Sequence, residues 1–150
     1  MKLAEALQER ADLNKRIEQL RVRLQNNVLV QEGEQPAENP AELLEELDNC
    51  VNRLEELMAR INKTNCITKD HGTTITELIA RKDALEVKIR IYRETANVAS
   101  NTARRAMHSE IKVMSAVEVR KLQKKIDTMS KQLRETDNRI QALNWVTELV

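Results

Sequence analysis

Four side chains in this sequence are of the kinds that hold metals or attack substrates: Cys50, Cys66, His71 and His108. Cys50 falls in an apolar helical stripe, where a thiol behaves as a small buried hydrophobe. Cys66 follows the point where that helix is expected to give way, so the two Cα atoms should lie well beyond the roughly 7 Å that a disulfide can bridge. Two reduced cysteines are expected, and no basic cluster flanks Cys66 to lower its pKa and make it reactive. Cys66-x4-His71 supplies two zinc ligands where a structural site takes four, and no CxxC completes the set. A di-iron bundle carries Glu-x-x-His on two helices, whereas Thr68 and Arg105 stand three residues before the histidines. No metal and no cofactor is expected.

Gly33 and Gly72 are isolated, so the chain has neither a phosphate-cradling P-loop nor a dinucleotide fingerprint. No nucleophile elbow and no Cys/His pair close in sequence is present, and the carboxylates sit where helix surfaces and first turns favour them. The expectation is a protein that is not an enzyme. Charge is nevertheless uneven. Nine acids and one base between Val28 and Met58 give net −8, while nine bases and three acids between Arg104 and Arg134 give net +6. Arg120, Lys121, Lys124 and Lys125 form a basic strip that would suit an anion or nucleic-acid phosphates. The lack of stacking aromatics and the presence of an acidic segment argue instead for packing between the two halves, and against nucleic acid as a partner.

The elements that position these residues follow from composition and period. Among 150 residues, 41% are apolar, yet Tyr92 and Trp145 are the only aromatics and Phe is absent, so the core is aliphatic. Two Gly and two Pro cannot supply the turns of a sandwich or barrel. Leu13, Ile17, Leu20 and Leu24 place one helix between about Lys2 and Asn27. Asn39-Pro40-Ala41-Glu42 starts a second, with Asn as cap, Pro at the first helical position and Glu three residues after the cap. Its stripe of Leu43, Leu47, Cys50, Leu54, Leu57 and Ile61, widened by Leu44, Val51 and Met58, is expected to face more than one neighbour and to give way near Asn62. Thr74-x-x-Glu77 opens a third helix with Ile75, Leu78, Leu85, Ile89, Tyr92, Ala96, Ala99 and Ala103 on its seam, interrupted by Lys82. Ser115-x-x-Glu118 opens a fourth, with Val119, Leu122, Ile126, Met129, Leu133, Ile140 and Leu143.

The predicted fold is all-α, an antiparallel four-helix bundle with long helices and irregular connections, forming one domain over residues 1–150. A short two-stranded ribbon between Val28–Val30 and Ile111–Val113 would sit at one end, and His71 and His108 would fall at opposite ends, roughly 40 Å apart. On the third helix Ala80, Ala84, Val87, Ile91 and Val98 form a second stripe about 150° from the seam at 100° per residue. They step by four, three, four and seven, so a homo-oligomer held through this face is expected. Apolar runs of three or four residues fall far short of the roughly 20 needed to span a bilayer, and MKLAEALQER lacks the regions of a signal peptide. A cytoplasmic protein without a membrane partner is expected.

The ordered pieces MKLAEALQER, VQEGEQP, ELLEELD, RINKTN, GTTIT, SEIKVMSAVEV and LNWVTEL resemble a bacterial family known as septicolysin-like, over essentially the whole chain. The resemblance implies a small helical protein with no established catalytic residues, and the name implies a cytolysin. The residues themselves favour a non-enzymatic oligomeric scaffold or interaction protein. A membrane-active, cytolysin-like module or a nucleic-acid-binding module is the alternative.

Overall fold

A computed structural model describes residues 1–102 and 111–150. Its elements are α1 (Leu3–Asn27), α2 (Pro40–Ile67), β1 (Lys69–Asp70), β2 (Thr73–Thr74), α3 (Ile75–Ser100) and α4 (Val119–Val146). The all-α reading holds, with four long helices among the described residues and helix–helix contacts consistent with a bundle. The chain forms two compact units, Met1–Asp70 with Leu143–Val150, and His71–Ala142. Ala103 and His108 lie outside the described residues.

In the first unit α1 and α2 run antiparallel. Arginine–carboxylate pairs align them: Glu9 meets Arg53 and Arg16 meets Glu46 between the helices, and Arg23 meets Glu38 in the connection just before α2. Between these pairs Leu3, Ala6 and Leu20 of α1 and Leu43, Leu57 and Ile61 of α2 are buried. Leu44, Val51 and Met58, expected to widen the packed stripe of α2, lie exposed instead. Asn27 closes the connection to α2. Its amide nitrogen donates to the Arg23 carbonyl at 2.8 Å, and its Oδ1 accepts from the Glu38 N–H at 2.9 Å.

Local chemistry starts α2 and tertiary contact ends it. Asn39 is the cap: its Oδ1 accepts from the Ala41 N–H at 3.0 Å, while its amide donates to Glu42 at 3.2 Å. The helix passes the expected stop near Asn62 and continues to Ile67. The reason is Thr64, which is fully buried, donates to the Arg60 carbonyl at 2.8 Å and accepts from the Val150 N–H at 3.1 Å. A bond to the chain end rewards the last turn for staying helical.

The ribbon exists, but elsewhere than expected. Lys69–Asp70 pairs with Thr73–Thr74 across His71 and Gly72, both at positive φ (49° and 85°), the backbone that a two-residue hairpin turn demands. Val28–Val30 and Ile111–Val113 carry no strand. Closing a two-residue loop costs far less entropy than joining segments some 80 residues apart.

In the second unit the Thr74 box forms as expected: Thr74 N–H donates to Glu77 Oε2 at 2.6 Å, and Glu77 N–H donates to Thr74 Oγ1 at 3.1 Å. Ile89 and Ala96 of α3 are buried with Ile126 and Met129 of α4, flanked by Leu85, Tyr92, Leu122 and Leu133. Lys82, the charged interruption in the seam, meets Asp137 of α4 at 2.6 Å, and this hydrogen bond holds its ammonium pKa above the ordinary value. The third box does not form. Ser115 Oγ accepts from Val117 N–H at 3.2 Å, a local turn that competes with capping, and α4 begins at Val119 over the Glu118 carbonyl.

Asn39→Ala should lower stability by about 1 kcal/mol, read from the urea midpoint with the slope unchanged. A change within a few tenths of a kcal/mol would mean that Pro40 and the Asn27 contacts start the helix without it.

Candidate functional site

In the first unit the first residues pair with the last ones, and Val150 meets the last turns of α2. Leu3 N–H donates to the Thr147 carbonyl and Leu149 N–H to the Met1 carbonyl, each at 2.9 Å, and Lys2 and Glu148 form an isolated antiparallel bridge between them. The Lys2 ammonium reaches Glu148 Oε1 at 2.6 Å, the N-terminal ammonium reaches Oε2 at 3.3 Å, and Arg60 Nε donates to the Val150 carbonyl at 3.0 Å. Every polar group here answers another. Among the described residues no buried side-chain nitrogen or oxygen lacks a partner, and the bonds between the first and last residues act as a clamp.

Cys50 is half-buried on α2, and Cys66 is exposed; neither is in a disulfide. Cys66 lies on the last turn of α2 rather than in a loop, because the helix runs on to Ile67. His71 takes the hairpin turn at φ 49°. No group of three or more His, Cys, Asp or Glu able to hold a metal is found among the described residues, and none of their helices is long and apolar enough to cross a membrane.

The proposed association stripe is open to solvent. Ala80 and Ala84 are exposed, as are Val87 and Ile91 at 49% each and Val98 at 60%. Val98 also lines an apolar groove with Ala99, Val113, Met114 and Val117. Arg120, Lys121, Lys124 and Lys125 are exposed on α4, and Lys121 pairs with Glu118 at 2.9 Å. The anticipated neutralisation by the acidic segment gives way to local pairing: Glu38 and Glu46 bind α1 arginines, and Glu56 binds Arg53 and Arg60. The Arg23 hydrogen bond holds the Glu38 carboxyl below its ordinary range.

Two features escaped the sequence reading. Lys88 and Tyr92 of α3 share a groove with Lys124 and Lys125; their spacing of four was the available signal. Trp145 is 65% exposed beside a groove along α1.

Residues 10–149 match the model of a family described as "Family of unknown function (DUF6847)". The chain belongs to this family. A crystal structure of a functionally unknown conserved protein from Corynebacterium diphtheriae is similar, with 40% sequence identity and a TM-score of 0.93, covering 100% of this chain and 99% of that one. No curated protein matches. Membership in the DUF6847 family corrects the septicolysin-like resemblance, and the cytolysin reading loses its basis with it. The pieces that carried the resemblance are short and separated, and no one of them is specific to a family.

The hydrogen bond from Lys2, and then that from the N-terminal ammonium, hold the Glu148 carboxyl below its ordinary value of 4.5. A depressed carboxyl stabilises fully above its unfolded value, and that contribution is lost as pH falls through the lower folded value. Wild type should therefore be more stable than Glu148→Gln at about pH 7, and the gap should close below about pH 4.5. Denaturation midpoints across this range check it; a gap that does not change with pH would show that the ion pair adds nothing to the clamp.

Proposed function

We propose that the protein is a non-enzymatic scaffold or interaction protein that associates with a second copy of itself through α3. The observation that carries this reading is the exposure of Val87, Ile91 and Val98 on one face, in line with Ala80 and Ala84. An antiparallel helix pair buries one stripe of each helix, and α3 spends its Ile89–Ala96 stripe on α4. The outer stripe keeps heptad steps, broken at Glu94. The surface that best complements such a stripe is another with the same steps, and each copy brings one, so a two-fold contact closes on itself. The apolar groove beside Val98 extends the face with Val113, Met114 and Val117. In the first unit Leu44, Val51 and Met58 repeat the pattern at steps of seven on the outside of α2.

Light scattering at micromolar concentration should give a mass that is a multiple of the 17.3 kDa chain. Val87→Asp combined with Ile91→Asp should lower that mass toward one chain while the helical circular dichroism signal is retained. A wild type that is already a single chain, or a double variant whose mass is unchanged, would overturn the reading.

A further inference from the structure

We propose that the groove between α3 and α4 lined by Lys88, Tyr92, Lys124, Lys125, Thr128 and Gln132 binds a small anion carrying two or more linked phosphate groups. Lys88 and Tyr92 stand one turn apart on α3. Lys125, Thr128 and Gln132 share the facing side of α4, with Lys124 beside them. Met129, a member of the buried cluster, forms the floor. The lining contains three ammonium groups and no carboxylate.

The same two helices show what structural pairing looks like. Lys82 meets Asp137 at 2.6 Å, and Arg93 donates to Ser130 at 3.4 Å. The groove on that side mixes Lys82, Arg93 and Arg134 with Glu86 and Asp137. Across the Lys88 groove lysine stands opposite lysine. An anion between them would meet positive charge from both helices. None of the three lysines forms an ion pair among the described residues. Lys88 lies over the Tyr92 ring at 5.8 Å, a contact that steadies the ammonium without neutralising it. Asp127, the nearby acid on α4, already accepts from Gln123 at 2.9 Å. Thr128 Oγ1 donates its proton to the Lys124 carbonyl at 3.0 Å, so the lysines, Tyr92 and Gln132 are the donors for a ligand.

Ammonium groups bind phosphate as point charges, whereas flat bidentate recognition of a carboxylate calls for arginine, which this lining lacks. Three such charges from two helices match an oligophosphate better than a single phosphate. Nucleic acid fits less well, because acids bound the strip: Glu118 holds Lys121 at one end, and Glu135 lies 3.8 Å from Lys131 at the other. Sequence alone pointed to α4; the α3 contribution appears only when the helices are paired.

Isothermal titration of the full chain with sodium tripolyphosphate at low salt tests the site. Saturable binding of one tripolyphosphate per chain is expected, with orthophosphate at least about tenfold weaker. Lys88→Gln and Lys125→Gln should each weaken tripolyphosphate about tenfold or more without changing the helical signal or thermal midpoint. Lys131→Gln, outside the groove, should stay within about twofold of wild type. Three results would overturn the proposal: no saturable binding, equal weakening by Lys131→Gln and Lys88→Gln, or tighter binding of a single-stranded oligonucleotide that increases with its length. The last would make the strip a nucleic-acid surface.

Discussion

Within each unit two antiparallel helices bury one stripe of each against the other, and the rest of the described structure depends on this pairing. It explains why a third of the residues are charged and why most of the core is aliphatic and narrow. A helix with a single partner can exploit one face only. With so little buried area per helix, alignment in the first unit comes as much from Glu9–Arg53 and Arg16–Glu46 between the helices, and Arg23–Glu38 in their connection, as from leucine packing. Each such pair is half-exposed and contributes modestly, but together they favour a single alignment.

The clamp at the chain ends extends the same logic. Backbone bonds from Leu3 and Leu149 join the first residues to the last, and the buried Thr64 hydroxyl ties Val150 to the end of α2. Termini ordinarily fray; here fraying would break the Val150 N–H bond to Thr64 and the backbone bonds of Leu3 and Leu149 together. The clamp also accounts for the extra turns of α2, since the residues beyond Asn62 have no strong helical preference of their own.

The functional reading rests on what the helix pairs leave uncovered. On α3 one face is committed to the buried cluster, another carries the exposed Val87–Val98 stripe, and a third contributes Lys88 and Tyr92 to the lysine groove. These are different chemistries on one rigid helix, one apolar and extended, the other compact and cationic. Neither contains a nucleophile set beside a base.

Much of the fold was legible because its signals are local. Asn39-Pro40 and Thr74-x-x-Glu77 start helices through bonds spanning two or three residues, and the scarcity of Gly and Pro leaves long helices as the main option. Periodicity also identified the α3 stripe, since residues at steps of three and four share a face whatever surrounds them. Periodicity does not say what covers a face, which is why Leu44, Val51 and Met58 were expected to be packed and lie exposed. Ser115 had two local bonds open to it, a cap or a turn, and only the folded chain chose the turn. The extent of α2, the choice of Arg partners by the acidic segment, and the meeting of Lys88 with Lys124 and Lys125 were decided by tertiary structure. Each depends on residues from separate helices arriving at one place, and a linear pattern carries no term for that distance.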